Sequence, residues 1–62
     1  MIDNRKQLSK AAYNLGERHL KTGSEIHPST ADFFRRHRVL DRYIDGREAA
    51  LAELRMALAS FA

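Results

Sequence analysis

Phe33, His37, Leu40, Ile44, Arg47, Leu51, Leu54, Leu58 and Phe61 follow one another at alternating intervals of four and three residues across half of the chain. Such intervals set side chains in one stripe along an α-helix. The phase passes through Gly46 without a slip, so the pattern predicts a single helix over residues 30–61, with a bend at 45–47 where Asp45-Gly46 weakens it. A shorter run, Leu8, Ala12, Leu15 and His19, widened by Ala11, predicts a first helix over residues 4–21. Asn4 with Gln7 makes a capping box at its start, and Thr22-Gly23 supplies the stop. Residues 22–29 hold the only proline and form the loop; Ser29 caps the next helix, helped by Asp32 three residues on. Gly16 lies inside the first helix at a cost of about 1 kcal/mol relative to Ala, which points to close approach by a second helix.

These elements predict an all-α fold: a helical hairpin with a short first and a long second helix. At 1.5 Å per residue the second helix would measure ~48 Å and the first ~27 Å, so half of the long stripe would lack cover. Ile44, Leu51, Leu54, Leu58 and Phe61 are the candidate self-association residues, and a homodimer that packs into a bundle is the expectation. Ala50 and Ala57 beside the stripe would let a partner helix come close, and Glu48 and Arg55 flank its other side. Arg47 within the stripe marks a crossing point, extends its stem to solvent, or pairs with an acid. The alternative is a three-helix bundle in which Asp45 and Glu48 cap a third helix after a turn at Gly46.

Length sharpens the same point. A chain of 62 residues makes one domain at most and buries only about 60% of its unfolded surface, so its core needs a supplement. With no cysteine, disulfides and the usual zinc sets are excluded, and the cytoplasm is the expected compartment. Residues 1–7 are polar and no apolar run reaches the roughly 20 residues of a membrane span. The formal charge of +3 is uneven: residues 1–46 hold nine basic and six acidic side chains, residues 47–62 two of each. That excess permits nucleic-acid binding without requiring it.

Arg35, Arg36, His37 and Arg38, with Arg42 one turn on, form the densest basic cluster. On a continuous helix Arg35, Arg38 and Arg42 share one face, and with Phe34 beside them they are the candidate partner-binding residues, since aromatics and Arg dominate interface hot spots. Phe33, on the stripe, is assigned to the core; Phe34 beside it either extends that core towards the loop, the preferred assignment, or forms an exposed anchor for another protein. A protein partner is preferred; nucleic acid gripped through the same arginines is the alternative. A helix-turn-helix does not fit, because a turn at Gly16 puts Thr22, Gly23, Glu25 and Pro28 in its second helix and a turn at Gly46 buries Asp41 and Arg42. His19, His27 and His37 lack metal-ligand spacing, so no metal or cofactor is expected; His19 and His37 could meet across the hairpin, but each better fits a boundary position with one ring nitrogen bonded. Ser24, Glu25, His27 and Ser29 are a nucleophile, acid and base in name only, being loop neighbours without an oxyanion site, so the chain reads as non-enzymatic.

The opening Ile2-Asp3-Asn4-Arg5-Lys6-Gln7-Leu8, on a short, basic, cysteine-free helical chain, resembles the small accessory proteins of the early regions of temperate, lambda-like bacteriophages. The resemblance implies a non-enzymatic protein, in the host cytoplasm, that binds host or phage components and shifts the balance between lysogenic and lytic growth. It carries no functional residue over to this sequence. The absent helix-turn-helix departs from simple phage repressors and argues against direct operator recognition.

Overall fold

A computed structural model describes residues 4–61. Three helices follow one another: α1, Asn4–Thr22; α2, Pro28–Arg36; and α3, Leu40–Ala59. The all-α class is as expected, but the short-then-long hairpin is not, because α1 has 19 residues and α3 has 20. α2 leads back from the far end of α1 to its start, so α1 and α3 run parallel: Arg5 and Lys6 lie beside Arg38 and Arg42, and Leu20 lies beside Ala50.

The long helix expected over residues 30–61 is broken at residues 37–39. The three helices match the alternative in number but not in where it placed the break, because Gly46 lies inside α3, which keeps the expected phase there in place of a turn. At the actual break Arg38 takes a left-handed conformation, φ 58°. The Arg38 amide donates to the Arg35 carbonyl at 3.1 Å and the Val39 amide to the Phe34 carbonyl at 2.9 Å, the paired bonds of a Schellman closure. On an uninterrupted helix Phe34 and Val39 would point roughly 140° apart. After the turn both are buried, with Ala12 and Tyr43, in one core cluster. A left-handed L-residue costs roughly 1–2 kcal/mol, whereas burying a Phe or Val side chain is worth about 1.5–3 kcal/mol, so burial wins.

The other boundaries have local causes. α1 ends in the same closure, with Gly23 at φ 71° and the Ser24 amide donating to the His19 carbonyl at 2.9 Å, as Thr22-Gly23 suggested. At the start of α1 Asn4 is already helical, and the residue before it lies outside the described residues. α2 starts earlier than expected. Pro28 occupies its first turn and His27, rather than Ser29, is the cap, its Nδ1 accepting from the Ser29 amide at 3.1 Å.

The centre of the fold is a backbone-to-backbone contact between α1 and α3. A Cβ built on Gly16 would run into the Tyr43 carbonyl, and one built on Gly46 into the Tyr13 carbonyl. The two contacts mirror each other, so Tyr13-x-x-Gly16 and Tyr43-x-x-Gly46 are related by a local pseudo-two-fold axis along the parallel pair. Ala12 and Ala50, both buried, continue the small-residue seam one turn to either side. The close approach foreshadowed by Gly16 is therefore met by a second glycine.

Candidate interaction surfaces

Tyr43 links the fold to its surfaces. Its ring is buried and its hydroxyl lies 2.7 Å from His19 Nδ1, while Arg47 donates through Nη1 to that hydroxyl at 3.4 Å and to the Ser24 carbonyl at 3.2 Å. The Tyr43 oxygen accepts from Arg47, and its O–H can donate to His19 Nδ1 in the tautomer that carries the ring proton on Nε2. Arg47 thus pins the α1–α2 loop to α3 and lies 6.0 Å over the Tyr43 ring. His19 fills the boundary position expected of it. The His19–His37 pairing does not form: His37 ends α2 with its ring 4.4 Å from that of Phe33. Ser24 and His27, two of the loop residues with catalytic names, have structural partners, the Ser24 carbonyl holding Arg47 and the His27 ring holding Ser29.

The first surface is the end of the molecule where α1 begins and α2 gives way to α3. The break disperses the arginines that were to share a helix face: Arg35 is on α2, Arg38 in the turn and Arg42 on α3. Phe34 is only 5% exposed and extends the core, so it is not the exposed anchor named among the partner-binding residues, whereas Phe33, assigned to the core, is 47% exposed. Asp32 engages Arg36 at 3.0 Å and Arg35 at 3.9 Å, and Asp45 engages Arg42 at 3.7 Å. Lys6, Lys10 and Arg38 make no ion pair among the described residues. Arg5, Lys6, Lys10, Arg35, Arg36, Arg38 and Arg42 bring seven of the eleven basic side chains to this end, against Asp32, Asp41 and Asp45 among its described acids. An open groove of about 710 Å³ runs between the first turns of α1 and the end of α2, with Leu8 and Phe33 as its apolar residues and Arg5, Arg36, His37 and Arg38 among its polar ones.

The second surface is the half of α3 that extends past α1. Leu51 is half-buried, Leu54 and Leu58 are 50% and 60% exposed, and Phe61, just beyond the helix, is 88% exposed. These four, spaced three, four and three apart, form one stripe, continued towards α2 by the exposed Ile44. Beside the stripe an apolar groove of about 250 Å³ is lined by Leu20, Ala50, Leu54 and Ala57, where the shortness of the alanines leaves room. The residues expected to self-associate are exposed or half-buried along this stripe, and the helix carrying them starts ten residues later than expected.

No family model, curated protein or solved structure matches this chain. Among the described residues no helix is long and apolar enough to cross a membrane, and no cluster of three or more metal-ligating side chains occurs.

Two features escaped the sequence reading. The left-handed Arg38 has neither Gly nor Asn to announce it; the available signal was the apolar pair Phe34 and Val39, spaced as the third-last helical residue and the second residue past a helix cap. The groove built on Phe33 depends on that break. The repeat of Tyr-x-x-Gly at a 30-residue offset was also there to be read, and it sets the α1–α3 register.

Proposed function

We propose that this chain is a small non-enzymatic interaction protein that dimerises through the free half of α3 and binds another macromolecule at its basic end. The observation that carries the reading is the stripe of Leu54, Leu58 and Phe61 left without intramolecular cover. Covering their exposed fractions would contribute ~3–6 kcal/mol per chain, or ~6–12 kcal/mol per dimer, within the range of the 4–15 kcal/mol that association costs. A second copy supplies the same stripe and can bury both at once, as a two-fold interface requires. Dimerisation in this way would leave the basic ends free for a partner. The resemblance to phage accessory proteins extends the reading to a host or phage component that governs lytic against lysogenic growth.

The test is the solution mass by light scattering coupled to size exclusion over a concentration series. A mass near twice that of the chain is expected, falling to the monomer in Leu58→Asp, which buries a charge in the interface and leaves the α1–α3 contact untouched. A parent protein that stays monomeric throughout would refute the dimer. Nucleic-acid binding is the second reading, favoured by the gathering of positive charge at one end. It requires affinity that falls steeply with salt as counterions are released.

A further inference from the structure

Resting on the reading that the basic end is the partner surface, we propose that the groove between α1 and α2 takes an acidic segment of another protein, with one apolar side chain seated between Leu8 and Phe33. Both halves of that chemistry are present. Leu8 and the exposed Phe33 offer an apolar seat, and the Phe33 ring is held by its contact with His37, so little side-chain freedom is lost on binding. Around the seat stand Arg36, half-neutralised by Asp32, and Arg38, which makes no ion pair among the described residues. The left-handed turn, closed by two backbone hydrogen bonds, fixes the origin of the Arg38 side chain at the groove. A guanidinium grips a carboxylate through two parallel bonds, so carboxylates flanking an apolar anchor would meet Arg36 and Arg38 in turn.

Charge at this end favours an anion of some kind, and the groove decides which kind. A nucleic-acid backbone would use the cations but leave the apolar seat idle. Unpaired bases need a platform of successive aromatics, whereas Phe33 stands alone here, one side taken by His37. Asp41, beside Arg38 and Lys6 on the neighbouring surface, interrupts what would otherwise be a continuous phosphate-tracking strip. An acidic peptide with an apolar anchor satisfies the seat and the cations together.

The experiment uses the full chain, isotope-labelled for amide NMR, at an ionic strength of about 0.15 M, where exposed charges more than ~8 Å apart are largely screened. The probes are a synthetic peptide of alternating Glu and Leu, the same peptide with Ser for Leu, and a duplex DNA oligonucleotide. The Glu-Leu peptide should shift the amides of Leu8, Phe33 and Arg38, and its affinity should fall at least tenfold in Arg38→Glu, in Phe33→Ser, and on replacing its Leu by Ser. The spectra of the variants show directly whether each has kept its fold. Equal binding of the Ser peptide would overturn the apolar seat. Shifts produced by DNA alone would overturn the assignment to protein while leaving the basic end as the interaction surface, and no shift with any probe would overturn the groove. Light scattering on the same samples keeps the dimer a separate question, since it reports on α3 whatever happens at the groove.

Discussion

Gly46→Ala places a methyl group where α3 meets α1, and opposing effects can be weighed there. Within a helix the change is favourable by about 1 kcal/mol, because glycine is the poorer helix former. In this fold the new Cβ would collide with the carbonyl of Tyr13, a backbone atom of α1 with no rotamer to change. Relief requires the helices to part by roughly 1 Å, and a gap of that size forfeits a quarter to a half of each dispersion contact it opens. The contacts at risk include those of Ala12 and Ala50, which have no length to follow the retreating surface. Overpacking of this kind costs about 1–3 kcal/mol, and more where backbone opposes backbone, so a net loss of about 2 kcal/mol is expected. A chain of this length holds only about 3–9 kcal/mol of stability. The melting temperature should accordingly fall by roughly 8–16 °C, read by far-ultraviolet circular dichroism with a urea titration beside it. Gly16→Ala should behave alike, because its collision with Tyr43 is the mirror image. Ala52→Gly, at an exposed site on α3, calibrates propensity alone and should cost about 1 kcal/mol. If Gly46→Ala melts at or above the parent temperature, the backbone-to-backbone contact is wrong.

Other substitutions probe the remaining joints. Arg38→Gly should raise stability by about 0.5–1 kcal/mol by removing the left-handed penalty while weakening the peptide binding proposed for the groove; an unchanged or lower melting temperature would contradict the closure at residues 37–39. Tyr43→Phe should cost about 1–3 kcal/mol because it removes the hydroxyl shared by His19 and Arg47, and the NMR signals of the Ser24 loop should shift with it. His27→Ala should cost about 0.5–2 kcal/mol, and His27→Asp, which restores an acceptor at the cap, should recover most of that loss in the same denaturant titration.

The sequence was legible where a residue type has one strong local meaning. Gly23 ends α1 because it reaches positive φ without strain, and the Leu8, Ala12, Leu15 and His19 run places the packed face of α1. The phase of Leu40, Ile44, Arg47 and Leu51 carried correctly through Gly46, where the missing side chain serves contact between helices instead of a turn. Legibility failed at residues 37–39. Phe33 and His37 happen to continue the four-three phase of α3, so periodicity could not detect the break, and the residue that turns the chain is an arginine, compelled by burial around it. The candidate site followed the fold: once Phe34 turned inward and Phe33 outward, the exposed aromatic moved by one residue and the arginines left their shared face. His27 was missed as a cap because serine next to proline is the commoner signal.

The glycine contact also governs how the chain can acquire its structure. The residues it joins, Gly16 with Tyr43 and Tyr13 with Gly46, lie 27 and 33 positions apart, so α1 lacks its main brace until the first two turns of α3 have been made. Up to that moment α1 is a 19-residue helix with a mostly polar surface, close to the length at which isolated helices are only marginal in water. Structure should therefore arrive late and nearly at once, when Gly46 reaches Gly16, and α2 should follow as a short strap fastened at Phe34 and Val39. A nascent chain halted before Gly46 would leave its first helix without that brace and exposed to proteases.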